Sequence, residues 1–297
     1  MKTRLLIIGI IVLSKLPIRL AHALASFIGI LCYHWPNVLK HRVTCNISRC
    51  FVDASKRQQQ QLIRQSLQHT FKMALEMPRF WCQPQSKVLS LVKQIHGEDT
   101  VLQAFQQGKG IILLGPHLGA WELAILYLSN KFPMYAMYKP QKNPKIDDFV
   151  LASRRRLGTT MVPTSSTGIR TLYKALRAGK AIGILPDHDP GDKGGGLFVP
   201  FFGIQARTMS LVAQLAQKTN APVFFGFMKR LPYGQGFDGH YLQADPRIYH
   251  PDLHTALSSM NADIEKLVSL APEQYEWAVK RFRKRPPGEP DFYAKRT

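Results

Sequence analysis

The segment Pro116-His117-Leu118-Gly119-Ala120-Trp121-Glu122 sets a histidine five positions before a carboxylate, directly after the apolar run Ile111-Ile112-Leu113-Leu114. A neutral imidazole can take the proton from a hydroxyl as that oxygen attacks a thioester carbonyl. A carboxylate on the other ring nitrogen fixes the tautomer and steadies the imidazolium. His117 is therefore the candidate general base and Glu122 its candidate partner, a dyad without a covalent serine. Within one regular helix, positions five apart diverge by roughly 140°, so the pair meets only if His117 precedes the helix and Glu122 lies in its first turns. Gly119 gives the intervening chain that freedom. The plainer alternative is a core histidine beside a glutamate favoured by the helix dipole. A place at the carboxyl end of a strand, where open α/β sheets hold their ligands, favours chemistry.

The flanking pattern alternates between strand and helix. Expected strands cover residues 110–115, 133–138, 160–162, 181–185 and 222–228. Expected helices cover 119–129, 145–157, 167–178 and 208–219, with a long loop after residue 185. Gly179 and Asn220 fall where helices should stop. This order describes an α/β fold with a mainly parallel sheet flanked by helices. Upstream, Leu62, Ile63, Leu67, Phe71, Ala74 and Leu75 recur at helical spacing and predict an amphipathic helix ending near Pro78.

Residues 5–13 form an apolar run behind Lys2 and Arg4, stopped by Ser14-Lys15-Leu16-Pro17. Apolar residues resume through Trp35. The run falls short of the ~20 residues of a full span, so residues 1–35 are expected to be a membrane-anchoring hydrophobic helix or broken helix pair, followed by a catalytic domain over 36–297. A cleaved signal peptide and a buried helix of a soluble core are the alternatives. Forty Lys and Arg against 19 Asp and Glu give a formal charge of +21, which favours anionic partners. Nucleic acid is not expected, because no recognisable binding motif is present and it gives no reason for the apolar N-terminus. Cys32, Cys45, Cys50 and Cys82 lack zinc-ligand spacing and are expected to be reduced thiols.

Four blocks in order carry a closer resemblance: residues 117–122; Pro186-Asp187-His188-Asp189-Pro190-Gly191; Phe198-Val199-Pro200-Phe201-Phe202-Gly203; and Pro272-Glu273-Gln274-Tyr275-Glu276-Trp277 leading into Arg281-Phe282-Arg283-Lys284-Arg285-Pro286. Together they resemble the late lauroyl and myristoyl acyltransferases of lipid A biosynthesis, within the lysophospholipid acyltransferase superfamily. The resemblance implies a glycerolipid-acyltransferase-like fold at the cytoplasmic face of the inner membrane. It further implies transfer of an acyl chain from acyl carrier protein, or acyl-CoA, to a hydroxyacyl group of a Kdo-bearing lipid A precursor, without a cofactor. Glycerolipid, mannosylated-lipid and aryl-polyene-lipid acceptors are the alternatives. Two departures from the family pattern are Ala278-Val279-Lys280 and the glycine-rich loop at residues 192–196.

Arginines similar to Arg154 and Arg155 are linked in that family to substrate phosphate, which a planar guanidinium binds well; a solvated helix face is the alternative. Asp187 is a further candidate for substrate binding. Asp187, His188 and Asp189 are adjacent on one loop and cannot readily converge on a metal, so loop-fixing hydrogen bonds are expected of them and metal is not. The phenylalanines at 198, 201, 202, 224, 225 and 227 could line an acyl channel or simply pack the core.

Overall fold

The computed structural model describes residues 2–156, 158–191 and 194–294. Two apolar helices open the chain, α1 (Lys2–Ser14) and α2 (Ile18–His34), meeting at 117°. Pro17 lacks an N–H and disfavours helical geometry at Leu16, which places the break between them. Among the described residues no single helix is long and apolar enough to cross a membrane, whereas the bent pair together meets that length and composition.

After α3 (Val38–Cys50), the long helix α4 (Lys56–Cys82) starts at a capping box in which Ser55 and Gln58 bond each other's backbone. It runs through Pro78 rather than ending there. The bond that Pro78 removes is the one to the Ala74 carbonyl, and Ala74 is exposed to solvent, so the helix loses little by continuing. Helix α2 buries Ala21, Ala25 and Gly29 against α4. A Cβ on Gly29 would stand 2.5 Å from the Gln68 Cα, so this close approach requires glycine.

The remaining elements are α5 (Gln85–Leu89), β1 (Val92–His96), α6 (Glu98–Gln106), β2 (Ile111–Leu114), α7 (Trp121–Ser129), β3 (Met134–Tyr138) and α8 (Pro144–Arg156). They continue with β4 (Thr159–Pro163), α9 (Ser166–Arg177), β5 (Ala181–Ile184), β6 (Gly196–Phe201), β7 (Ile204–Met209), α10 (Leu211–Thr219), β8 (Val223–Arg230), β9 (Phe237–Gln243) and α11 (Leu253–Leu270). Seven strands form one sheet in the order β1-β9-β8-β2-β5-β3-β4, parallel except for the β8/β9 pair. Alternation along β2 divides the core. Ile112 and Leu114 pack with α9, α10 and α11 on one face, while Ile111 and Leu113 pack with α6 and α7 on the other. Phe201, Phe224, Phe225 and Phe227 are buried in these two layers, so they pack the core instead of lining a channel. None of the four cysteines is joined in a disulfide among the described residues.

The expected long loop after β5 contains the hairpin β6/β7, and α10 starts three residues later than expected because Thr208 belongs to β7. The hairpin turn is Phe202-Gly203, with φ of 49° and 72°. Two positive φ values match the twist of a two-residue hairpin. Phe202 is held in this conformation by its ring, 5.2 Å from Phe51 and 5.7 Å from Trp277, and by its N–H, which donates to Glu265 at 2.7 Å. Asp192 and Lys193 of the glycine-rich loop lie outside the described residues. Arg281 and Arg285, in the basic C-terminal stretch, donate to the carbonyls of Arg207 and Gln205 and so tie the tail to β7.

One buried polar network joins the N-terminal helices to the sheet. Glu76 of α4 accepts from Arg230 Nε at 2.8 Å and lies 2.5 Å from His22 Nε2 of α2. Arg230 Nη2 donates to the Gly119 carbonyl at 2.8 Å. Glu76→Ala leaves the Arg230 charge buried without its partner, which should cost about 3–5 kcal/mol of folding stability. Urea titration should show a lower midpoint at an unchanged slope; an unmoved midpoint would mean that the network is not a structural support.

Candidate active site

Strands β2 and β5 lie side by side and parallel, with Leu114 opposite Ile184, and the ladder continues through Gly115 N–H to the Ile184 carbonyl at 3.0 Å. Three residues beyond each register point stand His117 and Asp187. Equal offsets along parallel neighbours bring them together: Asp187 Oδ1 lies 2.8 Å from His117 Nδ1, and Asp187 Oδ2 accepts the His117 backbone N–H at 2.9 Å. The carboxylate grips both the ring and the backbone of the same residue, which leaves the imidazole little freedom to swing.

His117 precedes α7, and Gly119 makes the turn at φ +58°, where a Cβ would stand 2.1 Å from the Met228 carbonyl oxygen. The turn is held on three sides. Gly119 N–H donates to the Gln274 carbonyl at 3.1 Å, Ala120 N–H to the Met228 carbonyl at 2.8 Å, and Glu276 N–H to the His117 carbonyl at 2.9 Å. Burial alone would push the imidazole below its ordinary value. The charge and hydrogen bond of Asp187, with a smaller contribution from Glu276, outweigh it and raise the His117 pKa. Asp187 is 1% exposed; burial would raise its carboxyl, but the facing His117, with His188 behind it, holds it well below the usual carboxylate range. With Nδ1 donating to an ionised Asp187, Nε2 is the nitrogen left to accept a proton.

The expected contact between His117 and Glu122 is not the one the fold makes. Glu122 does lie in the first turn of α7, but it is buried and receives Arg154 Nε and Nη2 at 2.7 Å each, together with Trp81 Nε1 at 3.0 Å. Arg154 comes from the last turn of α8, and its bidentate pairing spends the fork expected to hold substrate phosphate. Burial would lower this guanidinium's pKa, and Glu122 raises it instead. Arg155 is exposed on the same helix and makes no ion pair among the described residues. Asp187, read from sequence as a substrate contact, is too buried to meet one and serves His117.

Three further neighbours surround the pair; the sequence points to His188 only as a loop-fixing residue and gives Trp121 and Glu276 no role. His188 stacks on His117 with centroids 3.7 Å apart and planes within 3°, Trp121 meets the His117 ring edge-on at 5.3 Å, and Glu276 Oε2 lies 3.7 Å from His188 Nε2. His117, His188 and Glu276 offer donor atoms within 4.8 Å of one another. Nitrogen lone pairs lie in the ring plane, so two parallel stacked imidazoles do not aim at a common ion. Both rings would have to leave the stack to chelate a metal. An apolar slot begins at Gly115 and runs beneath α7 past Ala124, Leu128 and Met134, enclosing about 20 Å³, room for roughly one water.

Residues 2–284 match the family described as bacterial lipid A biosynthesis acyltransferase. The chain belongs to this family. It is 27% identical to the lipid A biosynthesis lauroyltransferase of Escherichia coli (strain K12) over 94% of this chain and 90% of the relative. It is 29% identical to the palmitoleoyltransferase of the same strain, over 84% and 80%, and 26% identical to the myristoyltransferase, over 86% and 79%. The enzyme is accordingly an acyltransferase, and the motifs read from its sequence fall within the matched region except for Arg285 and Pro286.

The pairing of His117 with Asp187 has a pH consequence for this acyltransferase. With His117 read as the base, its neutral form is depleted as pH falls through the raised pKa, and an acid limb on activity is expected. Asp187→Asn removes the charge that raises this value, so the residual activity should show its limb at lower pH. Glu122→Gln, whose charge is compensated by Arg154, should leave the limb in place. A limb that moves in Glu122→Gln and not in Asp187→Asn would reverse the assignment.

Proposed function

We propose that this enzyme transfers a fatty acyl chain from acyl carrier protein, or acyl-CoA, to a hydroxyacyl hydroxyl of a Kdo-bearing lipid A precursor at the cytoplasmic face of the inner membrane. The observation that carries the reading is His117 at the end of β2, locked through Nδ1 by Asp187 with Nε2 left to accept a proton, in a chain matched over residues 2–284 by that acyltransferase family. His117 Nε2 takes the proton of the acceptor hydroxyl while the oxygen adds to the thioester carbonyl. The tetrahedral intermediate collapses with cleavage of the carbon–sulfur bond, and the imidazolium returns its proton to the departing thiolate. An ester and a free thiol result, and the enzyme is restored. Asp187 stabilises the imidazolium between the two transfers. Glu122 and Arg154 brace the start of α7, which carries Trp121 against the His117 ring. The acyl chain enters the slot at Gly115 by displacing the leucine and methionine side chains that line it.

Membrane attachment through residues 1–35 is supported by the outward faces of α1 and α2, where Leu6, Ile8, Val12, Leu20, Leu24 and Phe27 are exposed. A bent pair with such a face suits the bilayer interface. Removing residues 1–35 would also remove His22 from the Glu76 network, so surface substitutions are the cleaner probe. The triple variant Leu20→Ser, Leu24→Ser, Phe27→Ser should move a folded protein from the membrane pellet towards the soluble fraction. Full retention after a salt wash would place the anchor elsewhere.

The base is tested directly. His117→Ala should keep the fold and lose activity by roughly 10²–10⁴ in an assay of acyl transfer from carrier thioester to lipid A precursor. A folded variant with more than about a tenth of the parent rate would be incompatible with general-base catalysis of that size.

A further inference from the structure

A cavity of about 550 Å³ opens between α2, α4 and the turn that follows β8, a size typical of ligand sites. It is separate from the apolar slot at Gly115 but shares its supports with the catalytic turn. Arg230 lines it and donates to the Gly119 carbonyl, and Gln274 lines it while its own carbonyl receives the Gly119 N–H. On the far side α2 presents the exposed apolar residues Leu20, Leu24 and Phe27. The cavity therefore lies between the reacting end of the sheet and a face suited to hydrocarbon.

Its charges do not balance internally. Arg230 is matched by Glu76, with both side chains 1% exposed. Arg19 and Lys72 then face the single carboxylate of Glu273, which already accepts from Gln274 Nε2 at 3.1 Å. Lys72 is half-buried and makes no ion pair among the described residues. Burial and the nearby Arg230 push its ammonium below the usual range, against partial compensation from Glu76 and Glu273. His69, on the same wall, has a buried Nδ1 with no hydrogen-bond partner. Burial, with Arg230 and Lys72 next, holds this imidazole neutral, its pKa pushed down to about 2. A half-buried cation that makes no ion pair, with Arg19 beside it and one carboxylate opposite, is a group that a bound oxyanion would satisfy.

We infer that this cavity is an oxyanion subsite in which Lys72 and Arg19 hold a phosphate on the headgroup of the lipid acceptor, presenting its hydroxyl to His117. The inference rests on the acyltransferase reading above and adds where the acceptor is gripped. Phosphate also occurs in the carrier arm of a thioester donor, so the two sources must be separated. The acceptor is favoured because the cavity adjoins the apolar face of α2, where a lipid headgroup would lie.

The test uses the full chain in neutral detergent, with Lys72→Met and Arg19→Gln made singly and together. Arg19 is exposed, so its variant should fold, and removal of an unpaired cation should leave the melting temperature of Lys72→Met unchanged or raised. The KM for a phosphorylated acceptor should rise about tenfold or more in each variant, the size expected for a lost charge-assisted hydrogen bond. The KM for the dephosphorylated acceptor and for the donor should stay within about twofold on the same scale. Equal effects on phosphorylated and dephosphorylated acceptors, or no effect on either, overturn the subsite. A rise confined to the donor, and absent with an N-acetylcysteamine thioester that lacks phosphate, overturns the assignment to the acceptor. Calorimetric titration with inorganic pyrophosphate gives a readout independent of catalysis. Binding by the parent that weakens in Lys72→Met supports the subsite even if no acyl transfer is observed, and binding equal in parent and variant overturns it.

Discussion

The hydrogen bond between Asp187 and His117 exists because two neighbouring strands run parallel and in register, and the rest of the catalytic turn depends on it. Parallel strands keep a constant offset along their length, so whatever stands three residues past Leu114 must face whatever stands three residues past Ile184. The sheet interior pays for none of this with buried polarity, since β2 and β5 are wholly apolar and buried. Charge appears only where the strands end. There a buried carboxylate meets a ring that can take the opposite charge, and each raises the other's readiness to ionise.

The same register explains what could and could not be read beforehand. Alternation of apolar runs with helical spacing was enough to place β2, β3, β5, β8 and the helices between them, because each is a local pattern. His117 stood out for the same reason. Its partner did not, because Glu122 is close in sequence and Asp187 is 70 residues away, and only strand adjacency connects them. A trace was present: Pro116-His117 and Pro186-Asp187 follow their apolar runs at matching positions. The hairpin β6/β7 was hidden by its turn, since Phe202-Gly203 lacks the asparagine or aspartate that usually marks positive φ. Arg154 lost its expected role because a nearer carboxylate, buried and otherwise unpaired, claims both arms of its fork.

Glu122 and Glu76 show two uses of a buried acid. Each is sealed from water and each is answered by an arginine from a distant element, Arg154 of α8 or Arg230 of β8. One braces the start of α7 under Trp121. The other fastens the apolar α2 to the Gly119 turn through His22 and Arg230. Neither charge could be withdrawn alone without stranding its partner in a poorly solvated interior. These pairs make the distances between α2, α4, α7 and β8 hard to change, so the N-terminal helices and the catalytic turn behave as one body.

The backbone bond from Glu276 to the His117 carbonyl, with the Leu118–Tyr275 bridge beside it, brings a segment far downstream in sequence onto the turn that carries His117. Contacts this far apart in sequence close late, after the intervening loops have given up their entropy. During synthesis the sheet can assemble from the amino-terminal side, yet the turn carrying His117 stays without its outer strap until residues near 276 have left the ribosome. A chain released early would hold the histidine and the aspartate but not the frame around them. The frame around His117 is thereby tied to synthesis of the segment around Glu276.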